Sequence, residues 1–364
     1  MAMKIKLNGI QQENMMIKNK EANMNKIAVL GGGSWGTALA SLLADNGYEI
    51  NIYDVSEAKV REINQKRENS FLPGYKLSEK ITATTDLKET IKNANVVIVV
   101  VPSHVVRDVA KQLKGLLSED VIIVSAAKGI EAETFYRMSE VLKEELADEL
   151  ADNIVALSGP THAEEVISKN PTTIVAANEN KEIAQKVQDI FMTDYFRVYT
   201  NPDIIGVELG GAIKNIIAVA SGISAGLGYG DNAMAALITR GIAEIKRLGV
   251  ALGAESMTFA GLTGLGDLIV TCASEHSRNR RVGYKIGSGK TLDEALDEMK
   301  MVAEGVKAAK VAHVLADKHG IEMPLTEEVY KVLFKDKDPQ KAVSDLMMRG
   351  KKYEIEDVAK EKEW

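Results

Sequence analysis

The sequence predicts an α/β protein with an N-terminal doubly wound domain and an all-α C-terminal domain. Short β-branched runs alternate with helix-compatible segments from Lys26 to about Thr200. One of these runs, Val96–Val101, is apolar at every position, as expected of a strand buried on both faces of a parallel sheet. After Thr200 the pattern changes to helical periodicity with few β-branched runs.

The elements follow in order from local composition. Five runs predict strands, and two further runs are expected to extend the sheet: Ile27–Leu30, Glu49–Tyr53, Val96–Val101, Val121–Ser125 and Ile154–Leu157, then Thr172–Ala177 and Phe196–Tyr199. Helices are expected between them, among others over Ser56–Asn64 and Val105–Leu117. Asp203 follows a turn and is a candidate N-cap for the first helix of the second domain.

The length of 364 residues exceeds one compact core and predicts two domains. We expect a disordered leader extension over 1–23, with Met24 a natural start, and a charged tail over 351–364. Between them we expect a dinucleotide-binding domain over 24–200 and a helical substrate-binding domain over 201–350.

Composition excludes several classes of protein. The net charge of -7 argues against a nucleic-acid-binding protein. The single cysteine, Cys272, excludes an internal disulfide framework and predicts a reducing, cytoplasmic compartment. The five histidines show no metal-ligand spacing, so no metal site is expected. No apolar run is expected to reach the length of a membrane span, so no membrane insertion is expected.

A glycine-rich turn follows the first predicted strand and precedes a helix. Gly31 allows the sharp turn, Gly33 lets a pyrophosphate approach the backbone, and Gly36 lets the helix pack closely on the strand. The helix N-terminus offers free N–H groups to a diphosphate. Asp54 ends the second strand about 20 residues downstream, where a Rossmann-type domain places the carboxylate that binds the ribose. Asp54 as a mere strand end is the alternative.

Two lysines are candidates for chemistry. Lys214 lies in an apolar helix, and its neighbours Gly210 and Gly211 leave room beside it for another backbone or a ligand. A desolvated lysine has a lowered pKa that suits acid–base catalysis; a lysine reaching to water at the helix edge is the alternative. Lys128 follows the strand at Val121–Ser125, where open sheets bind ligands, or it is a solvated loop lysine.

Other motifs are less specific. Asp267 lies in a glycine-rich turn, and a helix N-cap is the more favoured interpretation for it. Ser277–Arg281 concentrates three arginines that suit a phosphate, with a solvated helix start as the alternative. Ser158–Ala163 follows another strand and contains His162, a weakly indicated catalytic acid.

These motifs together resemble the bacterial NAD(P)-dependent sn-glycerol-3-phosphate dehydrogenases, over about Met24 to Phe334. The segments that carry the resemblance are Gly31–Ala38, Leu72–Gly74, Ala127–Ile130, Ser158–Thr161, Glu208–Asn215, Gly264–Asp267 and Ser277–Arg281. The resemblance implies that Lys214 is the acid–base residue. It implies further substrate-binding residues at Lys128, Gly159, Thr161, Asp267, Ser277, Arg278 and Asn279. It implies a cofactor site at Gly31, Gly33, Ser34, Trp35, Gly36, Asp54, Lys128, Ala163, Arg278, Val302 and Glu304.

The implied reaction is the reversible reduction of dihydroxyacetone phosphate to sn-glycerol 3-phosphate, for phospholipid synthesis, with a homodimer as a possible assembly. Many relatives carry an arginine after the second strand that suits the 2′-phosphate of NADP, and Val55 lies at that place here. With Asp54 beside it, this predicts NAD(H) as the preferred cofactor; the alternative is that Asp54 merely ends the strand while another lysine or arginine binds the 2′-phosphate. A different two-domain dehydrogenase, acting on a hydroxy acid or sugar acid, is the nearer alternative. A non-catalytic dinucleotide sensor is the remote one.

Overall fold

The computed structural model describes residues 26–299, 303–351, 353–354 and 362. The predicted leader with its start at Met24, and much of the predicted tail, lie outside the described residues. Within the described ranges, the chain forms one eight-stranded sheet with flanking helices, followed by a helical region.

The sheet is mostly parallel, in the order β3-β2-β1-β4-β5-β6-β7-β8. Only the β6–β7 pair is antiparallel among the pairs described. The strands are β1 Lys26–Leu30, β2 Glu49–Tyr53, β3 Ile81–Thr84, β4 Val96–Val99, β5 Ile122–Ser125, β6 Ile154–Ser158, β7 Thr172–Ala177 and β8 Phe196–Asn201. The direction in which strands are added to the sheet reverses at β1, because β2 and β3 lie on one side of β1 and β4 lies on the other.

Helices cover both faces of this sheet, which confirms the predicted doubly wound domain. They are α1 Ser34–Asp45, α2 Glu57–Arg61, α3 Leu87–Ile91, α4 Val106–Leu113, α5 Met138–Glu145, α6 Ala163–Ile167 and α7 Lys181–Phe191. Alternate residues of β1 belong to two different apolar clusters, with Val29 in one and Ala28 in the other. Every residue of β4 is buried, as its continuous apolar sequence predicted.

Two local predictions were wrong. The strand β3 was not predicted, because its four residues, Ile-Thr-Ala-Thr, lie at the sheet edge and alternate too briefly to give a clear period. The helix expected to reach Leu117 ends at Leu113, and Gly115 turns the chain with a φ of +72°.

The second region is helical, as predicted. Its helices are α8 Ile204–Gly226, α9 Asp231–Ala251, α10 Asp267–Ala273, α11 Arg278–Gly287, α12 Leu292–Asp297, α13 Glu304–His319, α14 Pro324–Phe334 and α15 Pro339–Met347. The Asp203 carboxylate accepts a hydrogen bond from Gly206 N at 2.8 Å, which confirms the predicted N-cap of α8. We propose that the two domains meet between residues 200 and 201, at the end of β8.

Helix α8 is the centre of the helical core, and α9, α11 and α13 pack around it. Its 23 residues are long and apolar enough to cross a membrane, so the expectation that no run reaches that length was wrong. However, 94% of its most apolar window is buried inside the protein. The helix is therefore accounted for as a core helix.

Candidate active site

The predicted site residues gather at the carboxyl edge of the parallel strands. The glycine turn follows β1, Lys128 follows β5, and Gly159 follows β6. Parallel strands end at the same edge of a sheet, and the strand order changes direction beside β1, which is where open α/β sheets bind their ligands.

Each of the three glycines has the geometry that its predicted role requires. Gly31 has a φ of +122°, a conformation that L side chains rarely adopt. A Cβ on Gly36 would lie 1.9 Å from the carbonyl oxygen of Gly31, so only glycine permits this contact between helix and turn. A Cβ on Gly33 would meet no other part of the protein within 4 Å, its chain neighbours aside. The first turn of α1 carries no acidic residue, so its N–H groups remain available to an anion. These features fit a bound diphosphate.

Asp54 is buried at the end of β2 and is tied to the glycine turn. Its carboxylate accepts from Gly32 N at 3.0 Å and from Ser56 N at 2.9 Å. The ammonium of Lys59 also donates to it, at 3.2 Å. The following residue, Val55, is 80% exposed. Asp54 therefore does more than end a strand, because it fixes the backbone of the loop that would hold the cofactor.

The two candidate lysines share one buried carboxylate. Lys214 in α8 and Asp267 at the start of α10 are only 4% and 1% exposed, and the Lys214 ammonium donates to Asp267. Lys128 donates to the other oxygen of Asp267 at 2.8 Å, and to the Gly159 carbonyl at 3.0 Å. Two interpretations are thereby wrong: Lys214 does not reach to water, and Asp267 is the first residue of α10 after the N-cap Gly266.

Small residues make this arrangement possible, as predicted for Lys214. A Cβ on Gly210 would lie 2.6 Å from the Thr263 carbonyl oxygen, so the backbone before α10 approaches α8 directly. A Cβ on Gly211 would lie 2.6 Å from Ser158 Oγ and 3.7 Å from the Lys128 stem. Glycine at both positions lets groups from β5, β6 and α10 converge beside Lys214.

Burial and charge tune the protonation of this cluster. Burial lowers the pKa of Lys214 to about 8, with Asp267 opposing that shift and Lys128 adding to it. Burial alone would raise the pKa of Asp267, but Lys128 and Lys214 outweigh it and hold that pKa below its usual range. Lys214 therefore exchanges a proton near neutral pH while Asp267 stays ionised.

The residues of the Ser277–Arg281 segment differ in their placement. Ser277 is the buried N-cap of α11 and accepts from Arg280 N. Asn279 donates to the side chain of Asn215, next to Lys214, and accepts from Gly305 N, both at 2.9 Å. Arg278 is exposed on the first turn, in the field of the Glu304 and Glu164 carboxylates. Arg278 and Arg281 are both exposed, as the alternative interpretation expected, although partial burial lowers the pKa of the Arg278 guanidinium.

The remaining predicted residues flank this centre. Glu304 begins α13 and accepts from the Ser103 hydroxyl at 2.8 Å, which joins the helical region to the loop after β4. Thr161 donates to the Gly159 carbonyl at 3.2 Å, and Ala163 begins α6. Ser34 begins α1, and Trp35 packs against the sheet core. Val302 lies outside the described residues.

Some site residues were not predicted. Thr271 accepts from Lys214 at 2.5 Å and donates to the Asp267 carbonyl at 2.6 Å. Its position four residues after Asp267 on one helix was the available signal. Ser103, Asn215 and Lys59 gave no comparable signal, because their partners are distant in sequence or of common type.

His162, the weakly indicated catalytic acid, has a buried Nε2 atom with no hydrogen-bond partner among the described residues. Burial, together with the charge of Lys214, lowers the pKa of His162.

A Rossmann-type nucleotide site beside a buried lysine–carboxylate cluster defines an NAD(P)-dependent oxidoreductase. Comparison with known proteins gives the family. Residues 26–184 match the model of the NAD-dependent glycerol-3-phosphate dehydrogenase N-terminus, and residues 203–344 match that of the C-terminus. The chain belongs to the NAD-dependent glycerol-3-phosphate dehydrogenase family, so the resemblance seen in the sequence is confirmed.

Individual relatives agree with this assignment. A glycerol-3-phosphate dehydrogenase [NAD(P)+] of Geobacillus kaustophilus is 55% identical over 337 residues, which cover 92% of this chain and 98% of the relative. The crystal structure of a glycerol-3-phosphate dehydrogenase from Coxiella burnetii is 39% identical, with a TM-score of 0.85 over 90% of this chain and 100% of that one. The structure of a glycerol-3-phosphate dehydrogenase from the yeast Saccharomyces cerevisiae is 28% identical, with a TM-score of 0.77. The match covers 89% of this chain and 99% of the yeast chain.

Proposed function

We propose that this chain reversibly reduces dihydroxyacetone phosphate to sn-glycerol 3-phosphate, the glycerol unit of phospholipids, with NAD(H) or NADP(H) as cofactor. The observation that carries the proposal is the buried Lys214–Asp267–Lys128 cluster at the sheet edge. The glycine turn that fits a dinucleotide follows a parallel strand of the same sheet, at the same carboxyl edge. Family membership supports the choice of substrate.

Lys214 is the proposed acid–base residue. In reduction its ammonium donates a proton to the C2 oxygen of the substrate, and in oxidation the neutral amine removes the hydroxyl proton. The nicotinamide supplies or accepts the hydride at C2 when it is bound. Lys128 and Asp267 orient Lys214 and the substrate, and the second positive charge stabilises the negative charge that develops on the oxygen.

The substrate phosphate is proposed to bind at the first turn of α11. Ser277, Arg278 and Asn279 offer a hydroxyl, a guanidinium and an amide there. Gly159 and Thr161 supply the facing loop after β6. The cofactor is proposed to contact the glycine turn, Ser34 and Trp35 at one end, with Lys128, Ala163, Arg278, Val302 and Glu304 around the nicotinamide half.

We propose NAD(H) as the preferred cofactor. The Asp54 carboxylate lies beside the loop and suits a ribose 2′-hydroxyl, whereas it disfavours a 2′-phosphate. Val55 offers no charge where many relatives carry arginine. An equal or higher kcat/KM with NADPH than with NADH would contradict this preference.

The experiment is a reduction assay with dihydroxyacetone phosphate and each cofactor. We expect turnover in the wild-type protein and a loss of kcat of roughly 100-fold or more in Lys214→Ala. The affinity for the cofactor should stay nearly unchanged in that variant. Lys111→Ala removes an exposed lysine of α4 and should retain full activity. Turnover that survives in Lys214→Ala would show that the acid–base assignment is wrong.

A cytoplasmic homodimer is the proposed state of the protein. The single cysteine, Cys272, is buried and free, which suits a reducing compartment. Exposed apolar side chains on the helical region, including Met257, Met347 and Met348, offer surface for a second copy. Light scattering coupled to gel filtration should give twice the mass of the chain; the monomer mass would contradict the dimer.

A further inference from the structure

We propose that Lys59 is a specificity-determining residue that lets this chain accept NADP(H) beside NAD(H). In this proposal Lys59 pairs with Asp54 when the ribose carries a 2′-hydroxyl and turns to a 2′-phosphate when one is present. The inference rests on the proposed nicotinamide dinucleotide site and deepens it. It assigns the 2′-phosphate to a residue other than the one at position 55.

The Lys59 side chain lies against the cofactor loop. Its ammonium is 3.2 Å from Asp54 Oδ2 and 4.4 Å from the centre of the Phe71 ring. A Cβ on Gly32 would lie 3.2 Å from Lys59 Cδ, so the stem crosses the middle of the glycine turn. The side chain is only 17% exposed. Lys59 is thus a positioned cation at the end of β2, where the ribose is expected.

The partners of Asp54 differ in their freedom to move. One carboxylate oxygen accepts from Ser56 N and the other from Gly32 N, so two backbone bonds fix the carboxylate. The Lys59 ammonium ends a flexible four-carbon chain and has three N–H bonds. Among the described residues, Asp54 takes one of them. Lys59 is therefore the member of the pair that is able to reorient toward a ligand.

Charge explains why a reorienting lysine matters here. Asp54 alone would place a full negative charge beside a 2′-phosphate that carries up to two more. Lys59 neutralises Asp54, and an ammonium forms strong charge-assisted hydrogen bonds with phosphate oxygens. The pair therefore favours the unphosphorylated ribose without excluding the phosphorylated one.

Neighbouring groups do not offer the same role. Val55 is apolar and projects into solvent. Arg61, on the same helix, is 61% exposed and pairs with Glu57 at 3.2 Å. Removing Arg61 therefore deletes a positive charge from the same short helix without touching the Lys59–Asp54 pair, which makes Arg61→Met a matched control.

The test measures cofactor binding in the absence of carbonyl substrate, with the fluorescence of bound NADH and NADPH as readout. Lys59→Met keeps the apolar stem over Gly32 and Phe71 but removes the charge. We expect its Kd for NADPH to rise about 10- to 100-fold, as for the loss of a charge-assisted hydrogen bond. The Kd for NADH should change less than about threefold. Lys59→Arg keeps the positive charge and should retain NADPH binding. Arg61→Met should change the affinities for NADH and NADPH by the same small factor.

Three outcomes would overturn the proposal: wild-type protein that binds NADH but not NADPH, an unchanged NADPH affinity in Lys59→Met, or an equal loss for both cofactors. Should Lys59→Met fold poorly, Lys59→Gln supplies the same comparison with a neutral polar end. Binding that depends on Lys59, without turnover of dihydroxyacetone phosphate, would contradict the proposed function alone. Normal turnover with NADPH binding that ignores Lys59 would contradict this inference alone.

Discussion

The surroundings of the buried Lys214 shift its pKa in opposite directions. Burial lowers its pKa to about 8, although Asp267 favours the charged form. Reduction requires the ammonium, so kcat for reduction should fall as the pH rises through about 8. Oxidation requires the neutral amine, so kcat for oxidation should rise over the same range. Steady-state rates in both directions from pH 6 to 10 test this, and parallel profiles in the two directions would contradict it.

Asp267 controls that pKa, because it is the buried carboxylate between two lysines. Asp267→Asn removes the charge that opposes the burial of Lys214, so the pKa of Lys214 should fall by about one unit or more. The reduction profile should move to lower pH by the same amount, and kcat at pH 8 should decrease. Thr271→Val provides the comparison: it removes a neutral hydrogen-bond partner of Lys214, and the profile should move much less.

At the scale of elements, two glycines of the β1–turn–α1 unit have different roles: Gly33 serves cofactor binding, and Gly36 serves folding. Gly33 has open space beside it and an extended backbone (φ −72°, ψ −177°) that alanine tolerates. Gly33→Ala should therefore keep the thermal midpoint of unfolding but weaken NADH binding about tenfold or more, because the added methyl occupies the space for the diphosphate.

Gly36→Ala should have the opposite profile of effects. Alanine normally stabilises a helix by up to about 1 kcal/mol relative to glycine. Here its methyl would lie 1.9 Å from the Gly31 carbonyl oxygen, so we expect a loss of about 1–3 kcal/mol in the free energy of unfolding. Urea denaturation measures it. A stabilised Gly36→Ala protein would show that the turn and helix are not packed as described.

At the scale of the whole molecule, a buried carboxylate joins the helical region to the sheet region. Glu208 in α8 accepts from Ser139 N at 2.8 Å and from Arg137 at 2.6 Å, both at the N-terminus of α5. Glu208→Gln should lower the free energy of unfolding by about 3 kcal/mol, because the partly buried Arg137 loses its buried counter-charge and keeps only the more exposed Glu140, at 3.0 Å. Glu57→Gln, in an exposed ion pair, should change it by less than about 1 kcal/mol.

Much of the fold was predictable, because its signals are local. The apolar run of β4, the glycine turn and the Asp203 N-cap each depend on residues close together in sequence. The missed strand β3 is short and lies at the sheet edge, where half-exposed residues give little periodicity. The end of α4 depends on Gly115, one glycine among many.

The candidate site was predictable in its members but not in its connections. The sequence by itself determined which residues carry unusual chemistry: glycines after a strand, lysines in apolar or strand-end settings, and a clustered set of arginines. Only the tertiary structure decided that Lys214, Lys128 and Asp267 form one cluster, since Lys128 and Asp267 are separated by 139 residues. It also decided that Lys59 neutralises Asp54. The physical reason is that protonation and charge pairing depend on distance and burial, which arise only when the sheet edge and the helical core enclose these groups together.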